Sequence, residues 1–203
     1  MKPAMSSVGS FEAPSWDRIY ALLIELADKV QTSGFQPDVI VGVARGGWAP
    51  ARVLSDLFDI SNLASVKVEF YVGVGLRAQR AVITQPVSVP LAGLKVLVVD
   101  DIADSGESLK LLHSTFLKQG ALEVRAATIY LKPWSKFKVD YWAKETRSWV
   151  IFPWERYESI KAVGKRMLCE GRSLDEVERS LIAIGLDPSI VRLFVEKIFR
   201  VGE

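Results

Sequence analysis

The residues best placed to do chemistry stand in one run: Val96-Leu97-Val98-Val99-Asp100-Asp101-Ile102-Ala103-Asp104-Ser105-Gly106-Glu107-Ser108. Four aliphatic residues in a row, three of them β-branched, read as a strand buried on both faces of a parallel sheet. That strand is expected to end where the carboxylates begin. In open α/β sheets, ligands bind just beyond the carboxyl ends of the strands. Asp104 to Ser108 then turns into a helix carried by Leu109, Leu111, Leu112 and Phe116. A tight loop at a helix N-terminus presents unpaired N–H groups and the positive end of the dipole, which suits a phosphate. Gly106 lets the backbone approach the anion, and the hydroxyls of Ser105 and Ser108 add donors. Phosphate on the loop beside two carboxylates on the strand suits a ribose 5-phosphate whose 2- and 3-hydroxyls face Asp100 and Asp101. Glu107 falls in the first helical turn, where the dipole favours an acid, and is expected to point to solvent.

A second motif lies one strand–helix step upstream. Val39 to Val43 is a short apolar run, followed by Ala44-Arg45-Gly46-Gly47 and a helix through Val53, Leu54, Leu57 and Phe58. Pro50 falls in the first turn of that helix, where it is tolerated. Two glycines permit a sharp turn and expose N–H groups, and the Arg45 guanidinium is a planar, multidentate phosphate donor.

Together these stretches resemble the type I phosphoribosyltransferases. The first is similar to that family's signature for phosphoribosyl diphosphate (PRPP): four apolar residues, two acids, two mostly apolar residues, then Asp-Ser-Gly-x-Ser. The resemblance implies that Asp100, Asp101, Ala103, Asp104, Ser105, Gly106, Glu107 and Ser108 bind PRPP. It also implies that Ala44, Arg45 and Gly46 form the pyrophosphate loop, with a cis Ala44–Arg45 peptide. Within the family the chain resembles the 6-oxopurine, xanthine–guanine-like branch through Lys132-Pro133 and the run Trp149-Val150-Ile151-Phe152-Pro153-Trp154-Glu155. There Lys132 would bond the purine O6, Trp149 would stack on the base, and backbone near Val150 would read its far edge. A lysine is a donor only, so it favours a carbonyl oxygen over the amino group of adenine. Asp104 matches the acid assigned to accept the imidazole proton of the base in these enzymes, where the adenine enzymes carry a non-acidic residue. Mg²⁺ is implied as cofactor, held by oxygens of PRPP, water and Asp101. The implied partners are PRPP, a purine base, pyrophosphate and a nucleoside monophosphate.

The elements that must position these groups are legible in outline. Trp16, Ile19, Tyr20, Leu23, Leu26, Ala27 and Val30 fall at helical spacing, and Gly34 and Pro37 close that helix. Val66, Val68 and Phe70 alternate with Lys67, Glu69 and Tyr71 as in a strand with one wet face. The stretch Gly73 to Arg80 then resembles the family's mobile catalytic loop, whose closure would exclude water and bring Arg77 and Arg80 to the pyrophosphate. His113, the only histidine, is expected to pack or face solvent, Gly120 to cap the helix before it, and Val124 to Leu131 to form a strand. Trp134 and Trp142 are expected in the core.

From Arg156 the character changes to helices. Ser173-Leu174-Asp175-Glu176 is a capping box, and Asp187-Pro188 starts a last helix. The run Leu181 to Arg192 loosely resembles a helix-turn-helix, but Ile190, Val191, Leu193, Phe194 and Val195 leave no polar face to read bases, so packing is expected instead. The expected organisation is a loose segment 1–15, a phosphoribosyltransferase domain 16–155 and a helical extension 156–203. The expected fold is α/β, a mainly parallel sheet flanked by helices, with a flexible hood and the C-terminal helical appendage.

Composition sets the remaining bounds. The chain has 203 residues, 49% hydrophobic and 25% charged, enough for one globular domain plus an appendage. A formal net charge of +2 is too small for a nucleic-acid footprint. Cys169 is the only cysteine, so no internal disulfide forms. No apolar stretch is long enough to cross a membrane, and the start lacks the pattern of a signal peptide. A cytoplasmic protein without membrane or nucleic-acid partners is expected, assembled as a homo-oligomer, dimer or tetramer. The rival reading is a non-enzymatic PRPP sensor whose C-terminal helices bind nucleic acid or a protein.

Overall fold

Short aliphatic runs separated by amphipathic helices build two compact units. A computed structural model describes residues 10–72 and 79–200. The larger unit spans Ile19–Thr146, and the smaller joins residues up to Arg18 with those from Arg147 onward. These units cut the chain differently from the three expected segments. The reason is strand pairing: β1 (Phe11–Glu12) lies parallel to β8 (Trp149–Val150), so both ends of the chain meet in one unit.

The larger unit is built on a six-stranded sheet. Its strands are β2 (Val39–Ala44), β3 (Leu63–Val72), β4 (Gln79–Gln85), β5 (Lys95–Ala103), β6 (Glu123–Leu131) and β7 (Tyr141–Glu145). They lie in the order β4-β3-β2-β5-β6-β7, with β4 antiparallel to β3 and the other pairs parallel. Three helices serve this sheet: α1 (Trp16–Thr32), α2 (Trp48–Leu57) and α3 (Glu107–Lys118). Val39, Val41, Val43, Val96 and Val98 pack with Leu109, Leu112 and Phe116 of α3. The alternate residues Ile40, Leu97 and Val99 are also fully buried. Both faces of the central strands are therefore covered, as their unbroken aliphatic runs require.

The order of β3, β2, β5 and β6 fixes where a ligand can sit. From β2 the chain crosses to β3 on one side, and from β5 it crosses to β6 on the other. The sheet therefore has a topological switch point between the C-terminal ends of β2 and β5, which is where such sheets open a crevice. β5 does not stop at the acids as expected but continues to Ala103, because Asp100, Ile102 and Ala103 stay in register with Thr128, Tyr130 and Leu131 of β6. Asp100 and Asp101 thus project from a strand, on opposite faces, and not from a loop.

In the smaller unit, α4 (Arg156–Cys169), α5 (Leu174–Ala183) and α6 (Pro188–Val195) close over Ile151, Ile160, Met167, Val177, Leu181, Leu186, Val191 and Val195. Phe11 and Trp149 pack against this same cluster. The expected capping box at Ser173 is formed: Glu176 N–H donates to Ser173 Oγ at 3.3 Å, and Ser173 N–H to Glu176 Oε2 at 2.8 Å. Ser173→Ala should therefore lower stability by about 1 kcal/mol in chemical denaturation. The backbone N–H of Ser173, and then its hydroxyl, hold the Glu176 carboxyl below the usual carboxylate range. A depressed folded-state value stabilises above the unfolded value and loses that contribution as pH falls through the folded value. Wild-type protein and Glu176→Gln should accordingly differ in thermal midpoint at neutral pH and converge in acid. Midpoints that stay apart in acid would rule this out.

Candidate active site

The loop after β5 and the start of α3 build the first half of the site. Gly106 stands at the N-cap of α3 with φ 79°, a left-handed conformation that favours glycine, and it brings no side chain to the helix start. Ser105 Oγ accepts the Glu107 N–H in a long bond of 3.4 Å, and the remaining first-turn N–H groups suit an anion. A Cβ on Gly106 would also meet Phe137 Cβ at 2.6 Å and Ser135 Oγ at 2.7 Å. Around this turn lies a cavity of about 420 Å³ lined by Asp100, Ile102, Ala103, Asp104, Ser105, Gly106, Glu107 and Ser108, with Phe70 and Leu109. Every residue expected to hold PRPP on this stretch except Asp101 lines it. Ala103 is buried, and its carbonyl accepts the Lys132 N–H at 3.0 Å. Glu107 is exposed, as expected.

The second half comes from β2. The Ala44–Arg45 peptide is cis, as the resemblance implies. Gly47 N–H donates to Val43 O at 2.7 Å and Trp48 N–H to Arg45 O at 3.2 Å, which folds Arg45 and Gly46 tightly back before α2. Arg45 is exposed. Gly46 lies against Asp101: a Cβ there would fall on the Asp101 carboxyl, 2.5 Å from Cγ and 2.7 Å from Oδ1. The two expected motifs thus touch across the switch point through Gly46 and Asp101.

The acids differ in environment. Asp100 is half-buried at the cavity, and burial, followed by the neighbouring Asp101 charge, pushes its carboxyl well above the usual carboxylate range. Its Oδ1 accepts the Asp101 N–H at 2.9 Å. Asp104 is exposed and accepts the Trp134 indole N–H on Oδ1 at 2.8 Å.

Lys132 follows β6 directly and is buried, with its ammonium 5.2 Å from the centroid of the Trp134 ring. Trp134 is 49% exposed, so the expectation of a core tryptophan is corrected. The reason is local: its loop, Pro133 to Lys138, runs over the phosphate loop, with Lys136 N–H donating to Ser105 O at 3.1 Å. The sequence signal that could have placed Trp134 is its position two residues after Lys132 in a polar loop. Phe70 was also missed: strand alternation put it on the dry face, yet it is 43% exposed and forms a wall of the cavity. His113 packs its ring 5.7 Å from Phe137. Trp149 is half-buried and Val150 buried, both in the smaller unit. Of the expected catalytic loop, Gly73 to Ala78, including Arg77, lies outside the described residues. Arg80 is exposed on β4 opposite Tyr71.

Comparison with known proteins decides among the phosphate chemistries this geometry allows. The family model described as the phosphoribosyl transferase domain matches residues 15–158. The chain belongs to the phosphoribosyltransferase family. A curated relative, the xanthine-guanine phosphoribosyltransferase of a Ruegeria species, is 30% identical over 153 residues, covering 70% of this chain and 83% of its own. A purine phosphoribosyltransferase from Pyrococcus horikoshii has a solved structure similar to this phosphoribosyltransferase, with TM-score 0.64 and 36% identity, covering 71% of this chain and 93% of that one. The xanthine-guanine-hypoxanthine phosphoribosyltransferase of Helicobacter pylori shares the fold, with TM-score 0.64 and 24% identity over 75% and 99% of the two chains. These matches favour an enzyme over the PRPP-sensor reading. Among the described residues no helix is long and apolar enough to cross a membrane.

Proposed function

We propose that this phosphoribosyltransferase moves the ribose 5-phosphate of PRPP onto a 6-oxopurine base, releasing pyrophosphate and a nucleoside 5-monophosphate. The observation that carries the reading is the contact of Gly46 with Asp101, which joins the Arg45 turn to the strand that runs into the phosphate loop, with Lys132 linked to Asp104 through Trp134. The similarity to purine and xanthine–guanine enzymes supports the choice of base.

The 5-phosphate binds the N-terminus of α3 through the first-turn N–H groups and the hydroxyls of Ser105 and Ser108. Asp100 and Asp101 accept hydrogen bonds from the ribose hydroxyls. The bond from the ribose carbon to pyrophosphate breaks, and the bond to the purine ring nitrogen forms. Charge on the departing pyrophosphate is met by Arg45 and the N–H groups of Gly46 and its neighbours. Asp104 takes the imidazole proton that the base must lose. Lys132 donates to O6. For Trp149 and Val150, roles as stacking residue and base-edge reader rest on the Trp149–Glu155 run alone.

The residues present fit a magnesium ion. Asp101 offers hard oxygen donors, and the pair Asp100–Asp101 carries a repulsion that a cation relieves. Among the described residues no group of three or more acids, histidines or cysteines could cage a metal, which agrees with an ion that shares oxygens of the substrate. When bound, it neutralises pyrophosphate charge. A cytoplasmic location and a homo-oligomer complete the proposal; light scattering tests the latter.

The direct test is a product assay with PRPP and guanine, hypoxanthine, xanthine or adenine. Nucleotide from at least one 6-oxopurine, with little from adenine, is expected; nucleotide from adenine alone, or from none, overturns the reading. A second expectation concerns the phosphate loop. A hydrogen bond to a charged acceptor contributes about 1.5–3 kcal/mol, so Ser108→Ala should weaken PRPP binding about tenfold or more in calorimetry. Unchanged affinity would remove Ser108 from the phosphate site.

A further inference from the structure

We propose that Trp134 is a positioning residue for Asp104: its indole N–H holds one carboxylate oxygen in place and leaves the other to accept the proton of the incoming base. The inference rests on the reading of Asp104 as that acceptor. Asp104 sits on the surface of the cavity, and the N-cap position of α3 belongs to Gly106, so helix capping does not orient its side chain. An exposed aspartate is free to turn about its side-chain bonds unless something fixes it. The 2.8 Å bond from Trp134 Nε1 to Oδ1 supplies that restraint. An indole is a donor only, so it can hold the ionised carboxylate without competing for the proton that the carboxylate must take.

Trp134 is itself well held for a half-exposed residue. The Lys132 ammonium lies against its ring, and Ser135 N–H donates to Lys132 O at 2.9 Å. The next residues strap the loop to the phosphate loop, through Lys136 N–H on Ser105 O and through Ser135 and Phe137 against Gly106. The connection matters for the substrate. In a 6-oxopurine, O6 and N7 are neighbours on one edge of the base. Lys132 and Asp104, the groups proposed for that edge, are joined through a single side chain. Trp134 thereby couples recognition of the carbonyl to the placement of the proton acceptor, and it does so from a loop strapped to the one proposed to receive PRPP.

Trp134→Phe keeps a ring of similar shape and removes the donor. Misplacement of a catalytic group by a fraction of an ångström to about 1 Å costs up to about 100-fold in rate. The expected result is a fall in kcat of about tenfold, with KM for PRPP and the thermal midpoint unchanged. Trp134→Gln, which restores a donor without the ring, should turn over faster than Trp134→Met, which has neither. In the background of Asp104→Ala, Trp134→Phe should cost nothing further, because the group it positions is gone. A wild-type kcat in Trp134→Phe, an equal loss with and without Asp104, or equal rates for the Gln and Met replacements overturns the proposal. Asp104→Ala with wild-type turnover overturns the reading of Asp104 itself, and Trp134 falls with it. Impaired Asp104→Ala beside unimpaired Trp134→Phe overturns only the positioning role.

Discussion

Asp104→Asn should lower turnover on guanine and hypoxanthine by about two orders of magnitude or more, the usual share of a positioned acid or base in catalysis. PRPP affinity should barely change. The structure makes the substitution clean. Asparagine keeps the shape and an oxygen that can still accept the Trp134 indole N–H, so the loop has no reason to move. It caps no helix, since Gly106 occupies the N-cap of α3. Stability should therefore stay within about 0.5 kcal/mol of wild type, as for surface positions without such a role. What is lost is the basic oxygen that takes the purine's imidazole proton. Steady-state kinetics with each base, paired with calorimetry of PRPP binding, checks both halves. Near-wild-type turnover would end the assignment, and a parallel collapse of PRPP affinity would make Asp104 a sugar-binding residue instead.

Much of this site was legible because its parts are local. Val96 to Ser108 contains a strand, its acids, a turn glycine and a helix start in one continuous stretch, so the chemistry and the geometry are written in the same thirteen positions. The Arg45-Gly46 turn is equally local. What the sequence hid is what depends on contacts across the fold. The aliphatic run alone puts the end of the strand where the carboxylates begin, yet pairing with Thr128, Tyr130 and Leu131 carries β5 to Ala103. Trp134 was expected inside because tryptophans are usually well buried. Its loop instead crosses the phosphate loop, a meeting of residues about thirty positions apart. Phe70 followed the strand alternation correctly but at the end of β3, where the dry face opens into the cavity. The pairing of β1 with β8, which joins the two ends of the chain in one unit, has no signature in either two-residue strand.

Gly46→Ala should cut PRPP turnover about 100-fold while leaving the fold intact, whereas Gly47→Ala should first of all cost stability. The two glycines are adjacent, but their missing side chains meet different things. A Cβ on Gly46 would fall on the carboxyl of Asp101, with Cγ at 2.5 Å. The carboxyl is the end of a side chain and can swing away, so the cost to folding is small. Swinging it away, however, displaces the group proposed to meet the ribose and the metal. It also pushes on the loop that holds Arg45. Misplacing reacting groups by about 1 Å costs about 100-fold in rate. A Cβ on Gly47 would instead run into backbone: Val43 N and Val43 O at 2.7 Å, and the carbonyl of Val99. Backbone of two central strands cannot give way without opening the sheet, so Gly47→Ala should destabilise by about 1–3 kcal/mol or more. Chemical denaturation and PRPP-dependent kinetics on both variants separate the cases. Wild-type kinetics in Gly46→Ala would show that Asp101 and the Arg45 loop do not work as one assembly. Equal destabilisation of both variants would show that the contact with Asp101 is as rigid as the backbone beside it.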